Sequence, residues 1–248
     1  MENSLGYVAL FLVGIVVGTL NVIAGGGSFL SLPLLMFLGL PAGVANGTNR
    51  VGIVMQNIAA VGSFDRHGVL DWGSLRWAAL PAAAGAGLGV WGALLISDQA
   101  FKRVLAFLMV AISLYTLWRP AGPGDETEAD RKSSPWVLAA VFFAVGIYGG
   151  FVQAGVGFFL LAGTTYAGFD LVRGNAVKVL VVLALTTVSL VLFALAGRVV
   201  WLTGLTLGAG TVLGALIGTR LTLLKGHRWV RGVVTGAIIV LAVKLLLE

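Results

Sequence analysis

Apolar runs close to the length of a bilayer crossing alternate along this chain with short breaks marked by glycine, proline and a few charges. A helical crossing takes about 20 apolar residues, and residues 5–23, 44–64, 75–96 and 101–118 each approach that length. Residues 28–40, between Gly25-Gly26-Gly27 and Pro41, form an apolar piece of about 13 residues. That is too short to cross comfortably, so it reads as a half-helix or the return arm of a re-entrant hairpin. The run at 44–64 is not plain apolar filling. Asn46, Asn49, Arg50, Ile53 and Asn57 fall on one face of a helix, and Thr48 sits among them. In hydrocarbon each such polar group costs several kcal/mol unless a partner or a water-filled cavity receives it. The stripe is therefore expected to face other helices or a cavity.

The second part of the chain echoes the first. Gly25-Gly26-Gly27-Ser28-Phe29-Leu30 has a counterpart in Gly155-Val156-Gly157-Phe158-Phe159-Leu160. Further on, Asn46 matches Asn175, Asn49 matches Lys178, Gly68 and Trp72 match Gly197 and Trp201, and Gly85 and Gly89 match Gly214 and Gly218 at one constant offset. Such ordered matching indicates an internal duplication. Residues 1–119 form the first repeat and 136–248 the second, with a hydrophilic linker at 120–135. Each half is expected to hold three full-length spans and a pair of segments around its glycine turn. The number of crossings per half is then odd, and the halves should be inverted relative to one another. The fold class is all-α: a polytopic helical membrane protein of two homologous, inverted halves, each with broken or re-entrant helices at a glycine-rich turn. Arg66, Arg76, the linker bases, Lys225, Arg228 and Arg231 mark one side as cytoplasmic, which places both termini outside.

Composition agrees with this reading and removes several function classes. The chain is 58% hydrophobic and 10% charged, with a mean hydropathy of +1.01, beyond what a soluble domain needs. Its 36 glycines, in this setting, imply close helix packing and interrupted helices. Residues 5–23 lack a basic leader and a small-residue cleavage site, so they read as a retained helix rather than a signal peptide. There is no cysteine, and His67 and His227 fall in expected loops, so neither a metal site nor a cofactor is expected. No GxxxxGK[ST] loop is present, and Gly85-Ala86-Gly87-Leu88-Gly89 lies inside an apolar span with no strand before it, so it reads as packing. All ten Asp and Glu residues fall in termini, loops or the linker. A carboxylate proton relay and an enzymatic acid/base pair both lack candidates. The net charge of +6 follows from the positive-inside bias or from attraction of an anionic ligand, and offers no exposed basic face for nucleic acid.

In a duplicated membrane protein with interrupted helices, the expected binding site lies between the repeats near mid-membrane. The symmetric candidates are Asn46 and Asn49 in one half and Asn175 and Lys178 in the other. Lys178 and Arg50 lie near helix starts, where free N–H groups and the helix dipole favour an anion. Gly25, Gly26, Gly27, Gly155 and Gly157 leave backbone N–H groups accessible, with left-handed backbone and close approach expected at Gly26. Asn21 and Gln153 beside these turns, with Thr48 and Asn57, complete the candidate lining. The expected partners are a small anion and the lipid bilayer, and homo-oligomerisation stays open. The competing reading has the amides joining helices and the cations reaching the interface.

The glycine turn before a short Leu/Pro segment, the stretch Ala45-Asn46-Gly47-Thr48-Asn49-Arg50, the loop ending Gly68-x-x-Asp71-Trp72, and their echoes together resemble the sulfite exporter TauE/SafE family over essentially the whole chain. The resemblance implies a secondary carrier of the bacterial inner membrane that exports sulfite or another small organosulfur anion. A carrier of a different small anion and a non-transporting membrane scaffold are the alternatives. Two departures, Val156 within the second glycine motif and the lack of a proline matching Pro33, imply a less regular second half.

Overall fold

A computed structural model describes residues 4–23, 25–118 and 134–247, and over these residues the regular structure is all helical. Helix α1 spans Ser4–Ile23, α2 Ser28–Phe37 and α3 Ala42–Arg66. A π-helical turn, Leu75–Ala79, leads into α4 at Leu80–Leu95, followed by α5 at Asp98–Trp118. After the linker, most of which lies outside the described residues, come α6 (Pro135–Phe151), α7 (Val156–Tyr166), α8 (Leu171–Leu195) and α9 (Trp201–Leu247).

Four described helices are long and apolar enough to cross a membrane: Gly6–Ile23, Leu75–Leu95, Leu171–Leu195 and Trp201–Leu224. The 25 residues of α3 are long enough, but its polar stripe lowers its hydropathy, and α6 has only 17 residues. One correction concerns His227. It was expected in a loop but lies within α9, which continues unbroken to Leu247. In the first half the chain breaks at Ile96, and Ser97 Oγ accepts from Ala100 N at 3.2 Å to start α5. The matching positions are Gly226 and His227, which supply no such capping oxygen, and no proline stops the helix there.

The distribution of side chains is that of a protein in lipid. Trp91, Phe107, Trp136 and Leu195 point outward, whereas Arg50 and Lys178 are among the most completely buried side chains. Such an outward apolar surface needs hydrocarbon around it.

Small residues set the helix pairing. α1 packs along α9, and α6 packs along α4. A Cβ on Gly18 would lie 2.2 Å from Thr211 O, and one on Gly146 would lie 2.1 Å from Ala82 O. These approaches bring backbones together, which in lipid is a main source of helix association. α3 lies against α8 and α9, and α8 against α3 and α4, so these two form the centre. The short helices α2 and α7 rest on α3 and α8 respectively. Gly146→Ala is expected to lower the unfolding midpoint in detergent, with overpacking costing about 1–3 kcal/mol. Gly87→Ala, where an added Cβ meets nothing within 4 Å, is expected to be neutral or stabilising. Equal midpoints for the two variants would contradict this packing.

Candidate functional site

Two helices end at buried turns inside the bundle, and each hands over to a short helix. α1 stops at Ile23, Gly25 takes a left-handed φ of +87°, and α2 starts at Ser28. α6 stops at Phe151, Gln153 and Gly155 take φ of +65° and +74°, and α7 starts at Val156. The two turns touch. A Cβ on Gly25 would lie 2.3 Å from Gly157 Cα, and one on Gly157 equally close to Gly25 Cα. The expectation of left-handed backbone at Gly26 is corrected. Gly25 has that conformation, while Gly26 sits against the Phe158 ring, 2.9 Å from an added Cβ. Gly27 faces Val17 O and the Asn21 side chain.

The long central helices bring one buried cation to each broken end. From α3, Arg50 donates through Nη1 to Gly149 O at 2.7 Å and through Nη2 to Gly150 O at 2.8 Å. Asn46 beside it donates to Phe151 O at 2.9 Å, and its Oδ1 accepts from Arg50 Nη2 at 3.3 Å. From α8, Lys178 Nζ donates to Asn21 O at 3.1 Å and Val22 O at 2.7 Å. The last carbonyls of a helix lack intrahelical donors and carry the negative end of its dipole, so a cation is favourable there. Arg50 thus caps α6, and Lys178 caps α1. Among the described residues neither cation has a carboxylate within ion-pair distance; Asp170 pairs with Arg173 at the surface. Asp65, Asp71, Asp98 and Asp170 all lie at helix ends or in loops.

The other candidates divide between packing and lining. Asn49 Oδ1 accepts from Ser31 Oγ at 2.7 Å, and its Nδ2 reaches Ser28 Oγ at 3.4 Å, fixing α2 to α3. Thr48 Oγ1 accepts from Val200 N at 3.0 Å at the approach to α9. Asn175 Nδ2 donates to Thr222 Oγ1 at 3.4 Å, and its buried Oδ1 has no partner among the described residues. Gly155 supplies the left-handed turn before α7.

Where the turns meet lies a small cavity. Asn21, Gly25 and Ser28 line it from the first turn, and Gln153, Val156 and Gly157 from the second. α3 contributes Ile53, Gln56 and Asn57, and α8 contributes Lys178 and Val182. It leaves about 10 Å³ for the centre of a water-sized sphere, roughly room for one water. Of the sequence candidates, Asn21, Gly25, Asn57, Gln153, Gly157 and Lys178 meet at this cavity. Asn46, Thr48, Asn49, Arg50, Asn175, Gly26, Gly27 and Gly155 stand around it. Gln56 and Ser28 were missed. Gln56 lies seven residues beyond Asn49, within reach of the helical periodicity, and Ser28 directly follows the glycines. Asn21 Nδ2 donates to Gln56 Oε1 at 3.2 Å, which joins the first turn to α3. Among the described residues no cluster of three or more His, Cys, Asp or Glu could hold a metal ion.

Residues 10–245 match the family model described as Sulfite exporter TauE/SafE. The chain is similar to "Probable membrane transporter protein ORF9" of Sinorhizobium sp, with 31% identity over 96% of this chain and 92% of the relative. A "Probable membrane transporter protein" of Haemophilus influenzae is 33% identical over 91% and 88% of the two chains. "Probable membrane transporter protein YfcA" of Escherichia coli K12 is 30% identical over 96% and 89%. No solved structure shows a significant match.

Proposed function

The chain belongs to the sulfite exporter TauE/SafE family and is a multi-pass membrane transporter rather than an enzyme, and from that premise we propose that it exports sulfite or a small organosulfonate across the inner membrane. The observation that carries the choice of an anion is the pair of deeply buried cations, Arg50 and Lys178, without a carboxylate partner among the described residues. Backbone carbonyls solvate both groups, yet among the described residues no carboxylate balances either. A buried net positive charge is costly unless an anion or water reaches it. Lys178 lines the cavity, together with amides and the N-terminal turns of α2 and α7. The positive ends of both helix dipoles favour an anion there, although Phe29, Leu30 and Val156 already give their N–H groups to turn carbonyls. An oxyanion in this cavity would be held by Lys178 and by neutral donors from both halves.

The cavity is too small for such an anion, so the proposed cycle widens it alternately to either side. Residues 1–119 and 136–248 are proposed as the two moving, inverted repeats. The reciprocal packing supports this: α1 lies along α9 while its counterpart α6 lies along α4, and the α3 cation caps α6 while the α8 cation caps α1. In this arrangement both termini lie on one side and the linker on the other. Cysteine labelling is expected to modify position 124 and a position at the N-terminus from opposite faces; labelling from the same face would contradict inversion.

Ligand-dependent stability of the purified protein tests the substrate class. Sulfite or a short sulfonate at about 100 times its Kd is expected to add about 2.7 kcal/mol. A shift with another small anion alone would reassign the cargo. A protein stabilised by no anion would be a scaffold.

A further inference from the structure

The polar groups at the cavity are not all engaged, and the way one of them is held carries an inference. It rests on reading the cavity as an anion site. Gln153 is buried, lines the cavity, and uses only one end of its amide. Its Oε1 accepts from Arg50 Nη1 and, at 3.3 Å, from Thr186 Oγ1. Its Nε2 makes no hydrogen bond among the described residues and, unlike Arg50 Nε and Asn175 Oδ1, is not sealed within protein. A glutamine that served only to join helices would engage both ends of its amide.

The two ends of an amide are nearly the same size, so its neighbours decide which way it points. A guanidinium has five donors and no acceptor. Turning the Gln153 amide over would set its NH₂ against Arg50 and lose a charge-assisted bond. The backbone beneath is also held. Gln153 has a φ of +65°, uncommon for a residue with a side chain, and Val156 N donates to Gln153 O at 3.2 Å. Tyr148 Oη donates to Ala154 O at 2.6 Å, tying the same turn to α6. Arg50 itself is immobilised by two α6 carbonyls and Asn46, and its side chain lies over Phe193 at 5.5 Å.

We infer that Arg50 is a positioning residue acting through Gln153: by taking the amide oxygen it fixes Nε2 toward the cavity as a donor that selects for an anion. Arg50 thus stands behind the site and supplies polarity to it through a neutral side chain. Lys178 is the cation that meets the ligand. The division places one full charge at the cavity and a donor on the facing turn.

Gln153→Glu tests this in the intact purified protein with sulfite as the probe. The carboxylate keeps an acceptor for Arg50 and Thr186 but offers the cavity an acceptor in place of a donor. Sulfite affinity is expected to fall by about tenfold or more, with the unfolding temperature in the absence of sulfite no lower than wild type. Gln153→Asn tolerates the left-handed backbone and withdraws the amide by one methylene; a similar loss is expected, which keeps the test valid if the Glu variant folds poorly. Arg50→Lys is expected to weaken sulfite binding, and to add nothing in the Gln153→Glu background because the two act as one unit. Wild-type affinity in Gln153→Glu, or independent and additive losses at the two positions, would overturn the inference alone. A wild-type protein indifferent to sulfite and short sulfonates would overturn the functional reading and this inference with it.

Discussion

Lys178→Gln is expected to remove most anion binding. Lys178 lines the cavity and its Nζ is held by Asn21 O and Val22 O, so two of its three hydrogens are used and one remains for a ligand. Losing a charge-assisted hydrogen bond costs about 1.5–3 kcal/mol, roughly a ten- to hundredfold loss of affinity. Gln keeps a donor, so part of the cap on α1 survives. Arg66→Gln, at the end of α3 far from the cavity, is expected to change affinity little. Unchanged affinity in Lys178→Gln at normal expression would reduce the residue to a helix cap, a role the geometry equally provides.

Gly25→Ala and Gly157→Ala are expected to abolish transport while leaving membrane insertion intact. Gly25 has a left-handed φ of +87°, where a Cβ costs about 1–2 kcal/mol. That Cβ would also lie 2.3 Å from Gly157 Cα, where backbone cannot yield as a flexible side chain could. Overpacking adds about 1–3 kcal/mol and falls on the contact between the two turns, where the cavity is built. Gly39→Ala separates the two costs. Gly39 has a φ of +92° but no atom within 4 Å of an added Cβ, so it should pay the backbone term alone and retain transport. Gly26→Val presses on the Phe158 ring, which has some freedom to move, and should be milder. Transport by Gly157→Ala at the wild-type rate would show that the turns need not touch.

Much of this architecture was legible because lipid makes local sequence decisive. Apolar length located α1 and α4, the glycines located both turns, and the cost of buried amides required the α3 stripe to face protein. Three features were hidden for physical reasons. The pairing of Arg50 with Lys178 is masked by a slip of one position, since Lys178 aligns with Asn49 and Arg50 with Val179. In space a long side chain absorbs that slip, and both cations reach the end of the opposite half's broken helix. Which residue of a Gly-Gly-Gly run takes the left-handed conformation depends on what it abuts, and only the approach of Gly157 singles out Gly25. The continuity of α9 past His227 depends on a missing N-cap, a weak signal beside the charges that suggested a loop there.

Counterflow of radiolabelled sulfite into proteoliposomes preloaded with unlabelled sulfite tests the central claim most directly, since only a carrier that alternates its site exchanges label without net driving force. The wild-type protein is expected to accumulate label transiently above empty liposomes, a short sulfonate inside should support the same exchange, and Lys178→Gln should lose it at equal reconstitution. Accumulation no greater than in empty liposomes for either anion, or equal exchange by wild type and Lys178→Gln, would contradict an anion carrier built around this cavity.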